Sequence, residues 1–127
     1  MESIKNFLDT LKITIENPKG TFKSFETEGD PVWEKYPLKG VTYPVDYGCI
    51  EGYVGEDGAE LDIFVGSGEK CGFIKVSRMD VPEETKFFIR VTDEEIEAIK
   101  KAFSSVLLDT KVLNGLEFQS EILKFKK

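Results

Sequence analysis

Apolar residues at Ile4, Phe7, Leu8 and Leu11 recur at helical spacing and predict a short amphipathic helix over residues 2–10. The period then changes. Leu11, Ile13 and Ile15 alternate with Lys12, Thr14 and Glu16, as in a half-buried strand, and Pro18-Lys19-Gly20 ends the run. After a polar loop, short β-like runs near 32–36, 41–45, 49–54, 61–65, 72–78 and 86–91 are separated by Gly, Pro and Asp. That cadence predicts a mainly β (α+β) fold built on a small antiparallel barrel or curled sheet. One long helix follows over 92–108, where Thr92 and Glu95 form a capping box and Ile96, Ile99, Phe103, Val106 and Leu107 make one apolar stripe that should close a side of the barrel. The tail, from Gly115 through Leu116, Phe118, Ile122 and Phe125, suits either a last strand or a second short helix.

Composition narrows the function. A chain of 127 residues is expected to form a single domain over 1–127 with one core. Twenty-four acids against seventeen bases give a formal charge of −7, which disfavours nucleic acid as a partner, because a nucleic-acid groove needs a Lys/Arg surface to displace counterions. A small anion can still be held by local lysines acting with a metal. The absence of histidine excludes His-based triads, His-metal sites and imidazole proton shuttles. The first twelve residues are too polar for a signal peptide, and no run approaches the roughly 18 apolar residues of a membrane span. A soluble cytoplasmic protein without a membrane partner is therefore expected, with Cys49 and Cys71 as reduced thiols.

The most specific stretch runs from Val41 to Val65 and reads VTYPVDYGCIEGYVGEDGAELDIFV. Asp57 and Asp62 lie five residues apart, after an acidic Gly-rich turn and a tyrosine pair, Tyr43 and Tyr47. Oxygen ligands carried by such a turn are what a hard divalent cation such as Mg²⁺ requires. This chemistry points to metal-assisted work on a phosphate-type substrate.

The same stretch resembles the soluble family I inorganic pyrophosphatases. Tyr43-Pro44-Val45-Asp46-Tyr47-Gly48-Cys49-Ile50 is similar to the family's Y-P-x-x-Y-G-x-I segment, and Asp57-Gly58-Ala59-Glu60-Leu61-Asp62 matches its three-aspartate motif at all but one position. Upstream, Ile15 to Gly20 looks like the family's E-I-P-K-G, and downstream Glu83-Glu84-Thr85-Lys86 looks like its E-D-x-K. The resemblance implies a barrel of the oligonucleotide/oligosaccharide-binding type and hydrolysis of pyrophosphate to phosphate with Mg²⁺, for which Mn²⁺ can substitute. It also implies roles by position. Asp57, Asp62 and Glu84 would hold the activating metal, Asp80 a substrate-borne ion and Glu16 a further one. Glu26 would organise the waters, Lys35 and Lys86 would bind phosphate, and Tyr47 would orient the phosphate or the water chain. A homo-oligomer is compatible with this reading.

Four departures bear on activity. Ala59 stands where the family carries the middle aspartate, and loss of a general base there should cost about 10²–10⁴ in rate. Glu60 is no simple substitute, since adjacent residues in an extended segment face opposite ways. Ser24 replaces a phosphate-binding lysine, with Lys23 beside it, and Val106, Leu107 and Leu108 stand where a Tyr-Lys pair is expected late in the long helix. Lys35 offers a point charge where the family has the planar fork of an arginine. The second reading these changes support is a catalytically inactive module that binds a metal–phosphate ligand or a protein partner.

Overall fold

The computed structural model describes residues 2–25 and 35–127. The strand expected near 32–36 falls largely outside the described residues, and Glu26 lies outside them altogether. In chain order the elements are α1 (Glu2–Asp9), β1 (Ile13–Asn17), β2 (Phe22–Ser24), β3 (Gly40–Thr42), β4 (Asp46–Val54), β5 (Glu60–Val65), β6 (Lys70–Val76), β7 (Glu84–Val91), α2 (Asp93–Ala102), β8 (Leu107–Leu113) and α3 (Gly115–Leu123). No described helix is long and apolar enough to cross a membrane.

The mainly β expectation holds, with a difference in detail. Six strands form one sheet in the order β1-β4-β5-β7-β6-β8, and β2 pairs with β3 in a small second sheet. β5 and β7 run parallel, so the large sheet is mixed rather than wholly antiparallel. Closure into a barrel is not seen among the described strands.

Both faces of the sheet are covered, which explains why β5, β6 and β7 are almost continuously apolar and do not alternate cleanly. On one face Tyr47, Phe64, Ile74 and Phe88 pack under Ile96, Ile99 and Phe103 of the α2 segment. On the other, Ile50, Leu61, Ile63, Phe73 and Phe87 pack with Phe118 and Ile122 of α3 and with Ile4, Phe7 and Leu8 of α1. Gly48 is fixed by this packing, since a Cβ there would stand 1.8 Å from the Thr14 carbonyl of β1.

The long helix is shorter than its apolar stripe predicts. α2 begins at the expected Thr92–Glu95 capping box but ends at Ala102, and Phe103 caps it. Val106 N–H then bonds back to the Phe103 carbonyl, Ser77 N–H takes the Val106 carbonyl, and the chain enters β8 beside β6. Phe103 and Val106 are buried as the stripe requires, yet they belong to a turn, and Leu107 belongs to a strand. Edge pairing with β6 outcompetes two further helical turns, because tertiary context overrides local periodicity. The tail is a helix, α3, started by a capping box of Asn114 and Glu117.

Candidate active site

The parallel register of β5 and β7, with Ile63 opposite Phe87 and Phe64 opposite Phe88, sets Asp62 beside Lys86. Tyr47 of β4 pairs with Phe64, so its side chain emerges on the same face. Alternation along β7 places Glu84, Lys86 and Phe88 on that face too. One face of the sheet is thus apolar at one end and ionic at the other.

Lys86 is the hub. Its ammonium lies 2.6 Å from Tyr47 Oη, 2.9 Å from Asp62 Oδ2 and 2.7 Å from Glu84 Oε1, which matches its three donors with three acceptors. The approach to Glu84 is close but not aligned as a hydrogen bond, so Glu84 Oε1 stays buried without a directed donor. Burial opposes the charge on Lys86, but Asp62, Tyr47 and Glu84 outweigh it and hold the ammonium's pKa well above its ordinary value. Burial pushes Glu84 upward, with Lys86 acting against it. Burial also raises Tyr47, which keeps its phenolic proton while accepting from Lys86, leaving that proton for an acceptor in the cleft. Tyr43 stacks on Tyr47 with ring centroids 4.5 Å apart, and both are buried.

A second cation, Arg78, completes the cluster. It donates from Nε and Nη2 to Asp80 at 2.8 and 3.2 Å and from Nη1 to Glu84 Oε2 at 3.0 Å, and Asp57 Oδ2 lies 3.8 Å from Nη1. Burial works against the Arg78 charge, yet Asp80 and Glu84 raise its pKa overall; Asp80, although partly desolvated, is held low by Arg78. Asp57 sits on the β4–β5 turn, where its other oxygen accepts the Ala59 N–H at 3.0 Å and Gly58 supplies the turn's positive φ of 83°.

These groups line a cleft of about 280 Å³ that also takes in Glu16, Asn17, Lys23 and Phe25. A larger groove of about 510 Å³ lies on the other side, along β6, β8 and α3, but its lysines and glutamates do not converge on the cluster, so the chemistry belongs to the smaller cleft.

Of the residues singled out in the sequence, Tyr47, Asp57, Asp62 and Lys86 line this cleft, and Glu84 stands behind them on Lys86 and Arg78. Glu16 is exposed at the rim; burial together with the nearby Glu16 carboxylate raises the Cys49 thiol to about 11. Asp80 is held away from the cleft lining by Arg78. Lys35 is exposed and does not line the cleft, whereas Lys23 does. Leu107 and Leu108 lie on β8, remote from the lining. Cys49 and Cys71 are free thiols.

Sequence reasoning missed Arg78. The available signal was its position, as one of two arginines in the chain and two residues before Asp80 in an acidic loop.

The inorganic pyrophosphatase family model matches residues 3–117. This chain belongs to the inorganic pyrophosphatase family. Two curated relatives named inorganic pyrophosphatase match as well. That of Corynebacterium glutamicum is 36% identical over 59 residues, which cover 44% of this chain and 37% of the relative. That of Corynebacterium efficiens is 34% identical over 59 residues, with the same 44% and 37% coverage. The matched stretch thus spans little more than a third of either relative's length.

The family implies a divalent metal in general, and the donor chemistry of the cleft can be tested against it. Asp57, Asp62 and Glu84 offer only hard oxygen atoms, and Glu84 Oε1 is buried without a directed donor, as suits Mg²⁺ or Mn²⁺. Among the described residues no three such side chains converge on one point, because Lys86 and Arg78 sit between them as the counter-charges. The donor set fits in kind, and the resident cations hold it apart.

Proposed function

We propose that this chain, acting as one domain over residues 1–127, hydrolyses inorganic pyrophosphate to phosphate in the cytoplasm with Mg²⁺ or Mn²⁺ bound. The observation that carries the reading is the meeting of Tyr47, Asp62, Glu84 and Lys86 at one cleft in a chain of this family. Asp57, Asp62 and Glu84 would hold the metal, with Asp80 and Glu16 serving further ions and Glu26 ordering water. The metal, when bound, supplies charge neutralisation and a more acidic water. The chain's own side chains do the rest. Lys86 can pass to a phosphate oxygen the N–H it now gives Asp62, and Tyr47 can donate its retained proton to another, where charge is redistributed in the transition state. Lys23 adds a positive charge at the mouth, in the part the resemblance gave to Lys35.

The test is phosphate release from Mg-pyrophosphate by the wild type and by Asp62→Asn. The variant is expected to lose about 10²-fold or more, since it removes a charge at the reacting end of the cleft. Wild type that releases no phosphate above buffer with either metal would sink the enzyme reading.

Ala59 favours the second reading, an inactive module that binds a metal–phosphate ligand. It is exposed and contributes nothing to the cleft lining, so no side-chain carboxylate stands there.

Arg78 bears on either reading, because its guanidinium lies among Asp57, Asp80 and Glu84 and competes with a metal for them. Arg78→Ala is expected to tighten Mn²⁺ binding about tenfold by removing a nearby positive charge. Calorimetry checks this, and an unchanged affinity would mean that Arg78 leaves the metal's donors free.

A further inference from the structure

The geometry points to a homodimer in which two copies of this chain pair antiparallel along the free edge of β8, about a two-fold axis through Thr110. This inference is independent of the catalytic reading.

β8 is the last strand of the sheet and is hydrogen-bonded on one side only, to β6, among the described strands. Natural edges are usually blunted by shortness, proline, bulges or charge. β8 has seven residues and no proline, and it exposes Leu108 and Val112 at 54% and 53%. Leu116 of α3, 71% exposed, lines the same groove as Lys111 and Leu113 and extends the apolar strip.

The sequence of the strand identifies the occupant. Leu107-Leu108-Asp109-Thr110-Lys111-Val112-Leu113 is self-complementary when reversed on itself. Pairing about Thr110 sets Leu107 opposite Leu113, Leu108 opposite Val112, and Asp109 opposite Lys111, twice over. Directly opposed residues share a face, so the two exposed aliphatic positions cover each other and each carboxylate meets an ammonium. A two-fold ladder must centre on a residue, because both copies have to present the same alternate set of backbone groups. Centring it one residue away puts Asp109 against Asp109 or Lys111 against Lys111, which repels. The charges therefore select one register.

Thr110 itself carries a second observation. Its Oγ1 is buried with no hydrogen-bond partner, and its N–H bonds to the Asp109 carboxylate at 2.8 Å. On the axis, a χ1 rotation gives each Thr110 hydroxyl its twin as partner, a cross-strand pair well suited to two threonines. Asp109 then turns from the Thr110 amide to the second copy's Lys111, releasing that N–H to the inter-chain ladder.

Sedimentation velocity on the full chain over a concentration series tests the proposal. Wild type is expected to form a dimer, and Asp109→Lys or Lys111→Asp alone to weaken it about tenfold, since each turns two attractive pairs into two repulsive ones. Both substitutions in one chain, or an equal mixture of the two single variants, should restore the dimer, as a heterodimer in the mixture. Circular dichroism checks that these exposed substitutions leave the fold intact. A wild type that stays monomeric throughout overturns the proposal, including the case where the edge serves a different protein. So does a dimer that ignores both charge reversals, or single variants that fail to associate when mixed.

Discussion

Lys86→Met is expected to unfold more readily than the wild type by about 3–5 kcal/mol, the largest stability loss among the changes considered for the cleft. The cause is the company Lys86 keeps. Glu84 is 2% exposed and Asp62 is half-buried, and both depend on the same ammonium. Methionine fills much of the lysine stem's volume, so the loss measures the stranded carboxylates rather than a cavity. Equilibrium urea unfolding gives the number. Adding Glu84→Gln to Lys86→Met removes one stranded charge and should recover part of it, a non-additivity expected of groups in direct contact. A single variant within about 0.5 kcal/mol of wild type, the range of ordinary surface changes, would show that the ammonium is not the keystone of the cluster. The same substitution should abolish phosphate release, because no other residue brings a buried cation to Tyr47 and Asp62.

The second large effect runs the other way. Ala59→Asp is expected to raise phosphate release by about 10²–10⁴, the usual worth of a general base. The turn is ready for it. The Ala59 N–H bonds to Asp57 at 3.0 Å and its carbonyl accepts from Gly55 N–H at 2.8 Å, which holds the backbone between the two aspartates. Ala59 is exposed, so the new carboxylate meets no core and should leave stability within about 0.5 kcal/mol of wild type. Glu60 does not already do this work. It opens β5 as an exposed residue and does not line the cleft. Steady-state kinetics on the two proteins checks the gain. No increase would locate the shortfall in the thinned phosphate contacts, above all at Lys35, which stands away from the cleft.

The candidate site was legible where its residues share a short stretch. Tyr47, Asp57 and Asp62 lie within sixteen residues, and the turn between them is written in Gly55, Gly58 and the acids around them. Lys86 was legible only through the family's spacing, and its meeting with Asp62 depends on a parallel strand pair that no local pattern encodes. Arg78 escaped notice because a guanidinium among carboxylates looks, in one dimension, like a charged loop. β8 was hidden by an accident of phase, since Val106 and Leu107 continue the helical stripe of α2 while the chain has already turned. The α3 start was written in Asn114 and Glu117, a capping box that the apolar pattern of the tail alone did not reveal.

By itself, the sequence determined what local physics controls: the short N-terminal helix, the capped start of α2, most of the strands, the acidic turn and the exclusion of imidazole chemistry. These follow from periodicity, capping and side-chain inventory, which act over a few residues. Only the tertiary structure decided the sheet order, the end of α2, the edge position of β8 and the seating of Lys86 and Arg78 among the carboxylates. Each of these is a contact between segments far apart in the chain, selected by the mutual burial of both sheet faces, and such contacts leave no periodic trace in either partner alone.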